Sequence, residues 1–421
     1  MTPMNKAATR NPVLTLAALL MLTGCSGDAG TGVPVATAPV PTATATPAPT
    51  PAPEPTPTPS PTASPTPTPT AAALSFAAQM SPGWNLGNSL ESLGTGPTPA
   101  TSSRETAYGN AAVTQEVLNA VAAAGFKSVR IPVSWLQYAD SSDTISAAWL
   151  TRVAQVVDYA RNAGLFVIIN VHYDGGWLQP TYAQQTAADA RLAKFWTQIA
   201  TKFAAYDDHL LFAGTNEVMV TNVYSAPTPE NCAVQNGFNQ TFVKAVRATG
   251  GNNASRYLLV QGYNTNIDYT VSCNATLPGD STANRLMMEV HYYDPYDFTL
   301  SENSKVWQWG AGATKPSATA GYGDEAYVDA QFQKMKATFV DKGVPVVLGE
   351  YSAISKTEYD ASGIYRTAWD QYVTQSARNH GMVPFYWDNG FTGNHGSGLF
   401  RRDTASSAYP SLVSTIVTAG K

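Results

Sequence analysis

Short apolar runs ending in polar residues recur along most of this chain, and stretches with helical spacing separate them. The runs are Gly83 to Asn88, Ser128 to Val133, Phe166 to His172, Leu210 to Asn216, Tyr257 to Gln261, Leu286 to His291, Val344 to Glu350 and Met382 to Trp387. Runs of this length bounded by turn residues read as buried strands. Helical stretches are predicted over 114–124, 147–162, 187–203, 238–248, 327–341 and 365–379, and 412–418 closes the set. Gly164 stands where a glycine caps the helix that ends at Asn162. Alternating β and α elements imply a parallel sheet. Continuous apolar strands fit a sheet covered on both faces. The pattern predicts an α/β fold, a (β/α)8 TIM barrel. A doubly wound open sheet is the runner-up, but no Gly-rich phosphate loop follows any strand. The fifth crossover, 264–283, shows no clear helix.

Before the first strand the composition changes. Residues 31–70 are Pro, Thr, Ala and Ser with almost nothing to bury. Such a segment cannot offset its ordering entropy, and its prolines keep it extended. The domain reading is therefore a signal peptide over 1–25, a disordered Pro/Thr/Ala-rich linker over 26–73 and one barrel over 74–421. Lys6 and Arg10 precede the apolar run Val13 to Leu22, which is too short to span a bilayer and has the layout of a secretory signal. Leu22-Thr23-Gly24-Cys25 resembles the bacterial lipoprotein box, in which the cysteine is lipid-modified. An ordinary signal peptide with an incidental cysteine is the alternative. Several acyl chains on Cys25 would anchor the chain stably. Export is expected in either case, to the bacterial outer membrane or cell surface if lipidated, or into the medium if not. Membrane contact is expected through that anchor alone. An exported location permits a disulfide between Cys232 and Cys273, which fall in neighbouring loops of one barrel face; two free buried thiols are the other reading.

Charge and composition narrow the chemistry. A net charge of -5 argues against nucleic acid. Charged residues make up 13%, about half the usual share, partly because the linker has so few. With 9 Trp and 21 Tyr, some aromatic faces are free to stack on sugar rings. The strand ends carry Asn88, Arg130, His172, Asn216 with Glu217, His291 with Tyr293, Glu350, and Trp387 with Asp388. Catalytic side chains of parallel barrels sit at those ends. Two carboxylates, Glu217 and Glu350, delivered by two strands are what glycoside hydrolysis requires.

As an ordered set these motifs resemble family 5 of the glycoside hydrolases, the cellulase family, from Gly83 to about Arg401. Gly83-Trp84-Asn85-Leu86-Gly87-Asn88 is similar to that family's opening strand. Arg130 in Val-Arg-Ile-Pro, His172 in Asn-Val-His-Tyr and the Asn216-Glu217 pair match the next motifs. His291-Tyr292-Tyr293, Gly349-Glu350 and Trp387-Asp388-Asn389-Gly390 match the later ones. Tyr173 stands where many members have a second His, and Val218 where many have Pro.

The resemblance implies a retaining mechanism with Glu217 as acid/base and Glu350 as nucleophile. It implies that Arg130 and Tyr293 support Glu350, Arg130 by keeping it ionised. Asn216 would bind the sugar 2-hydroxyl, and His172 and His291 would orient the sugar and Glu217. Trp387 would form the floor under the sugar ring. Asn88 and Trp84 complete the expected binding set, with Trp177, Tyr173 and Tyr263 as further candidates for outer subsites. The expected substrate is β-1,4-glucan cut internally, with mannan or xyloglucan as alternatives. No cofactor and no metal are expected, and a monomer is. A metal-dependent barrel hydrolase using His172 and His291 ranks low, because no His-x-His occurs at a strand end. A silent glycan-binding protein is the other rival, but binding alone needs no carboxylate pair.

Overall fold

In a computed structural model the described residues are 69–421; the expected signal, Cys25 and nearly all of the expected linker lie outside them. Eight strands form a closed, all-parallel barrel in sequence order. They are β1 (Gly83–Leu86), β2 (Ser128–Ile131), β3 (Phe166–Asn170), β4 (Leu210–Ala213), β5 (Leu258–Gln261), β6 (Leu286–His291), β7 (Val346–Tyr351) and β8 (Met382–Asp388). Helix α1 (Pro69–Ala78) precedes them. Then α2 (Gln115–Ala123), α3 (Ala147–Asn162), α4 (Tyr182–Lys202) and α5 (Pro229–Ala248) follow β1 to β4 in turn. After β5 comes α6 (Ile267–Cys273), after β6 the single turn α7 (Tyr296–Thr299) and α8 (Glu325–Thr338), after β7 α9 (Ile364–Asn379), and after β8 α10 (Pro410–Ala419).

Two expectations are corrected. The fifth crossover does contain a helix, α6, which Asn266 caps by accepting from the Tyr269 N–H. It has only seven residues, too few for an apolar stripe to stand out. The barrel domain also begins earlier than residue 74, because α1 starts at Pro69. Ala73, Ala77 and Met80 pack against Ile168, Leu211, Leu259, Met287, Val347 and Phe385. Phe76 stacks on Tyr257 at 4.2 Å and meets Phe166 edge-on at 5.6 Å. That contact closes the end of the barrel away from the strand C-termini.

The alternation of strand side chains then sets the site. Val129, Ile131, Val167, Ile169, Phe212 and Val290 belong to the large core cluster with the helices. Between them Asn85, Arg130, Gln261 and Glu289 are fully buried and joined by hydrogen bonds or ion pairs. The strand interior is therefore apolar at one end and a polar network at the other.

Cys232 and Cys273 are disulfide-bonded, with Cα atoms 5.8 Å apart. They stand in the first turn of α5 and at the last residue of α6. The bond fastens the short sixth helix to its neighbour.

Candidate active site

Arg130 is the centre of the network. Its Nε lies 2.8 Å from Glu289 Oε1. One terminal nitrogen reaches Asn85 Oδ1 at 3.0 Å and Glu350 Oε1 at 2.8 Å, and the other reaches Asn216 Oδ1 at 2.6 Å. A planar guanidinium can hold several acceptors in fixed directions, which a lysine cannot. Gln261 donates to Glu289 at 2.8 Å, so the inner carboxylate has partners on both oxygens. Gly349 is required beside it: a β-carbon there would lie 2.3 Å from Glu289 Oε1.

Glu350 receives a second hydrogen bond, from the Tyr293 hydroxyl to Oε2 at 3.0 Å. Glu217 follows Asn216 with φ of +47°, a left-handed conformation unusual for a residue with a side chain. Its Oε1 lies 2.8 Å from His291 Nδ1, which is also 3.7 Å from Glu350 Oε2. One carboxylate oxygen from each glutamate and this imidazole nitrogen all lie within 4.8 Å of one another. The two acids differ in surroundings, since the Glu217 side chain is 33% exposed and that of Glu350 6%.

Burial alone would keep His291 neutral, but Glu350, Glu217 and Glu289 outweigh it and raise its pKa to about 9. His172 goes the other way: burial and the charges of Arg130 and His291 hold it well below its ordinary value. Burial pushes the Tyr293 phenol well above its usual range, so it stays a donor. Glu350 departs from the expected direction. Burial, aided by the charge of Glu217, raises its pKa despite the opposing pull of His291, Arg130 and Tyr293. Arg130 does favour the ionised form as expected, but burial is the larger effect.

The other expected residues fall into two groups. His172 Nδ1 lies 3.1 Å from the Asn170 amide, and its ring is parallel to Trp387 at 5.9 Å. Asn88 adopts a left-handed conformation just after β1, with φ of +55°, and its carbonyl accepts from the Asn110 amide. Trp84 is corrected: it is 0% exposed, donates to Asp388 Oδ2 at 3.0 Å and carries Arg402 over its ring at 4.5 Å. On β1 it is Asn85 that takes the inward position, and Trp84 faces the helices. Tyr263 is buried as well and its hydroxyl accepts from the Val220 N–H. Trp177 is half-buried, edge-on to Phe195 with Arg191 over its ring. Tyr173, by contrast, is 57% exposed.

Sequence reasoning missed Asn85, Gln261 and Glu289. The signal was present in Glu289, a lone charge two residues before His291 in an apolar strand, and therefore on the same face. Among the described residues the Glu217–His291–Glu350 group could in principle hold a cation. Both nitrogens of His291 already face carboxylates, Nδ1 that of Glu217 and Nε2 that of Glu289.

Paired carboxylates this close fit a retaining glycoside hydrolase, whose two acids stand about 5–5.5 Å apart, whereas inverting pairs leave room for a water between them. A family model described as Cellulase (glycosyl hydrolase family 5) matches residues 93–393. The chain belongs to that family and is a glycoside hydrolase. It is 44% identical over 363 residues to Endoglucanase A of Paenibacillus barcinonensis, covering 82% of this chain and 89% of that one. It is 40% identical to a xyloglucan-specific endo-beta-1,4-glucanase of Bacteroides ovatus, over 76% of this chain and 65% of that relative. Among solved structures, a family 5 xyloglucanase from Paenibacillus pabuli in complex with ligand superposes with a TM-score of 0.78 at 45% identity, covering 82% of this chain and all of that one.

Proposed function

We propose that this protein is a retaining endo-β-1,4-glucanase in which Glu350 is the nucleophile and Glu217 the acid/base. The observation that carries the roles is the spacing of the two carboxylates within 4.8 Å, together with their unequal exposure. The buried Glu350, held by Arg130 and Tyr293, has fixed direction, as an attacking group needs. The more exposed Glu217 can exchange its proton with solvent and the leaving group.

The charges of the network support this exchange. Arg130 and His291 are two cations facing three carboxylates, Glu217, Glu289 and Glu350. With Glu217 protonated and the other two acids ionised, the charges cancel. When Glu350 forms its ester with the sugar it loses its charge, and ionised Glu217 restores the balance. Both resting states of a double displacement are thus neutral, and Glu217 changes from acid to base between them. In this reading Asn216 binds the sugar 2-hydroxyl and Trp387 is the sugar floor, supported by the hold of Arg130 on Asn216 and by the His172 ring parallel to Trp387.

β-1,4-glucan is the substrate this reading favours, supported by the endoglucanase relatives. The amino-terminal motif further supports export and anchoring through Cys25, so that a tethered enzyme meets soluble or amorphous polymer outside the cell. Replacing Cys25 with Ala should release activity into the medium; unchanged membrane fractionation would contradict the anchor.

Azide rescue tests the roles. On an aryl cellobioside with a good leaving group, Glu350→Ala plus azide should yield the α-glycosyl azide, and Glu217→Ala plus azide the β-glycosyl azide. The opposite anomers would reverse the assignment.

A further inference from the structure

The loop after β1 contains a buried acid that the chemistry above does not use. Glu91 accepts hydrogen bonds from two successive backbone N–H groups, that of Asn88 at Oε1 and that of Ser89 at Oε2 at 2.9 Å. Without Glu91 the turn would leave these two donors short of a partner. Asn88 needs such support, since its left-handed conformation is one that residues with side chains rarely adopt.

The turn so held bears directly on the sugar floor. The Gly87 N–H donates to the Asp388 carbonyl at 3.0 Å. A β-carbon on Gly87 would fall 2.9 Å from Trp387 Cζ2 and 2.7 Å from the Asp388 oxygen, so backbone and indole are in contact. Asn110 then braces the far side, donating to the Asn88 carbonyl at 2.9 Å and the Asn389 carbonyl at 3.0 Å. The two residues that follow Trp387 are therefore tied to the turn that Glu91 closes. Among the described residues no cation is in contact with Glu91; Arg402 and Glu350 act on it through space.

We propose that Glu91 is a positioning residue for hydrolysis: its carboxylate fixes the Gly87–Ser89 turn against Trp387 and so sets the floor under the sugar whose bond breaks. The proposal rests on the reading of Trp387 as that floor. Glu91→Gln keeps the shape but replaces one acceptor oxygen with an amide N–H₂ facing a backbone N–H. A displaced floor acts on the distorted sugar of the transition state more than on chain binding, so kcat bears the loss.

The test compares Glu91→Gln, Glu91→Asp and Trp387→Ala on soluble glucan, with the rate of covalent trapping by an activated 2-deoxy-2-fluoro-cellobioside as a second readout. Glu91→Gln is expected to lower kcat and the trapping rate about tenfold with KM changed less than about threefold, and Glu91→Asp to recover part of the loss. Unchanged kcat and trapping in Glu91→Gln, with only a lower melting temperature, would overturn the proposal. Should Glu91→Gln fail to fold, Glu91→Asp decides: its shortened carboxylate must still lower kcat and the trapping rate with KM changed less, and unchanged kcat and trapping would overturn the proposal equally. Trp387→Ala separates the two readings. If it keeps full activity, the floor assignment fails; if it loses activity while Glu91→Gln does not, only the role of Glu91 fails.

Discussion

Gly349 and Glu289 are neighbours that leave no room for a β-carbon. One placed on Gly349 would fall 2.3 Å from Glu289 Oε1 and 2.8 Å from its Cγ. Glu289 cannot step aside, because Arg130, Gln261 and His291 hold its carboxylate. Gly349→Ala should therefore displace Glu289 or the adjoining Glu350. We expect kcat to fall at least about tenfold and the melting temperature to drop, which steady-state kinetics and calorimetry would check. Wild-type kcat would show that the packing yields.

Arg130→Lys tests the geometry of the centre without removing its charge. One ammonium cannot reach Glu289, Asn85, Glu350 and Asn216 together. The expected result is a loss of about 100-fold or more in kcat/KM, on the scale of two lost charge-assisted hydrogen bonds. A loss below about fivefold would mean that charge alone suffices.

His291 makes stability depend on pH with a definite sign. Its pKa is raised from the ordinary 6.5 to about 9 in the folded protein, so folding favours the protonated form. Its contribution is fully present below about pH 6.5 and is lost as pH rises through about 9. Melting temperature from pH 6 to 10 should fall more steeply for the wild type than for His291→Gln, since groups away from the site titrate alike in both. Parallel curves would contradict a cationic His291.

The disulfide closes a loop with a sequence separation of 41 residues. Loop entropy of that size amounts to about 4 kcal/mol at most. Reductant should lower the melting temperature of the wild type and leave that of the Cys232→Ser/Cys273→Ser variant unchanged. Equal sensitivity to reductant in both would argue against the bond.

The barrel was legible because each strand is short, apolar and followed by a helical stretch. Helix α1 was not, because its Pro69 start and Ala-rich body continue the composition of the linker before it. Only the hydrophobic base of the closed barrel, a tertiary feature, makes Ala73 and Ala77 core residues. The ring of polar side chains at the strand ends was legible because charged side chains ended apolar strands. Trp84 misled because the motif it belongs to marks the strand, not which way each residue faces. The direction of the Glu350 pKa also escaped the sequence, since burial and several opposing charges exist only once four strands converge.

The most direct test of the central claim is covalent trapping. The enzyme would be inactivated with an activated 2-deoxy-2-fluoro-β-cellobioside, digested, and the labelled peptide sequenced by mass spectrometry. One sugar ester is expected, on Glu350, with protection from inactivation by a cello-oligosaccharide. A label on Glu217, or hydrolysis with no covalent intermediate at any concentration, would contradict it.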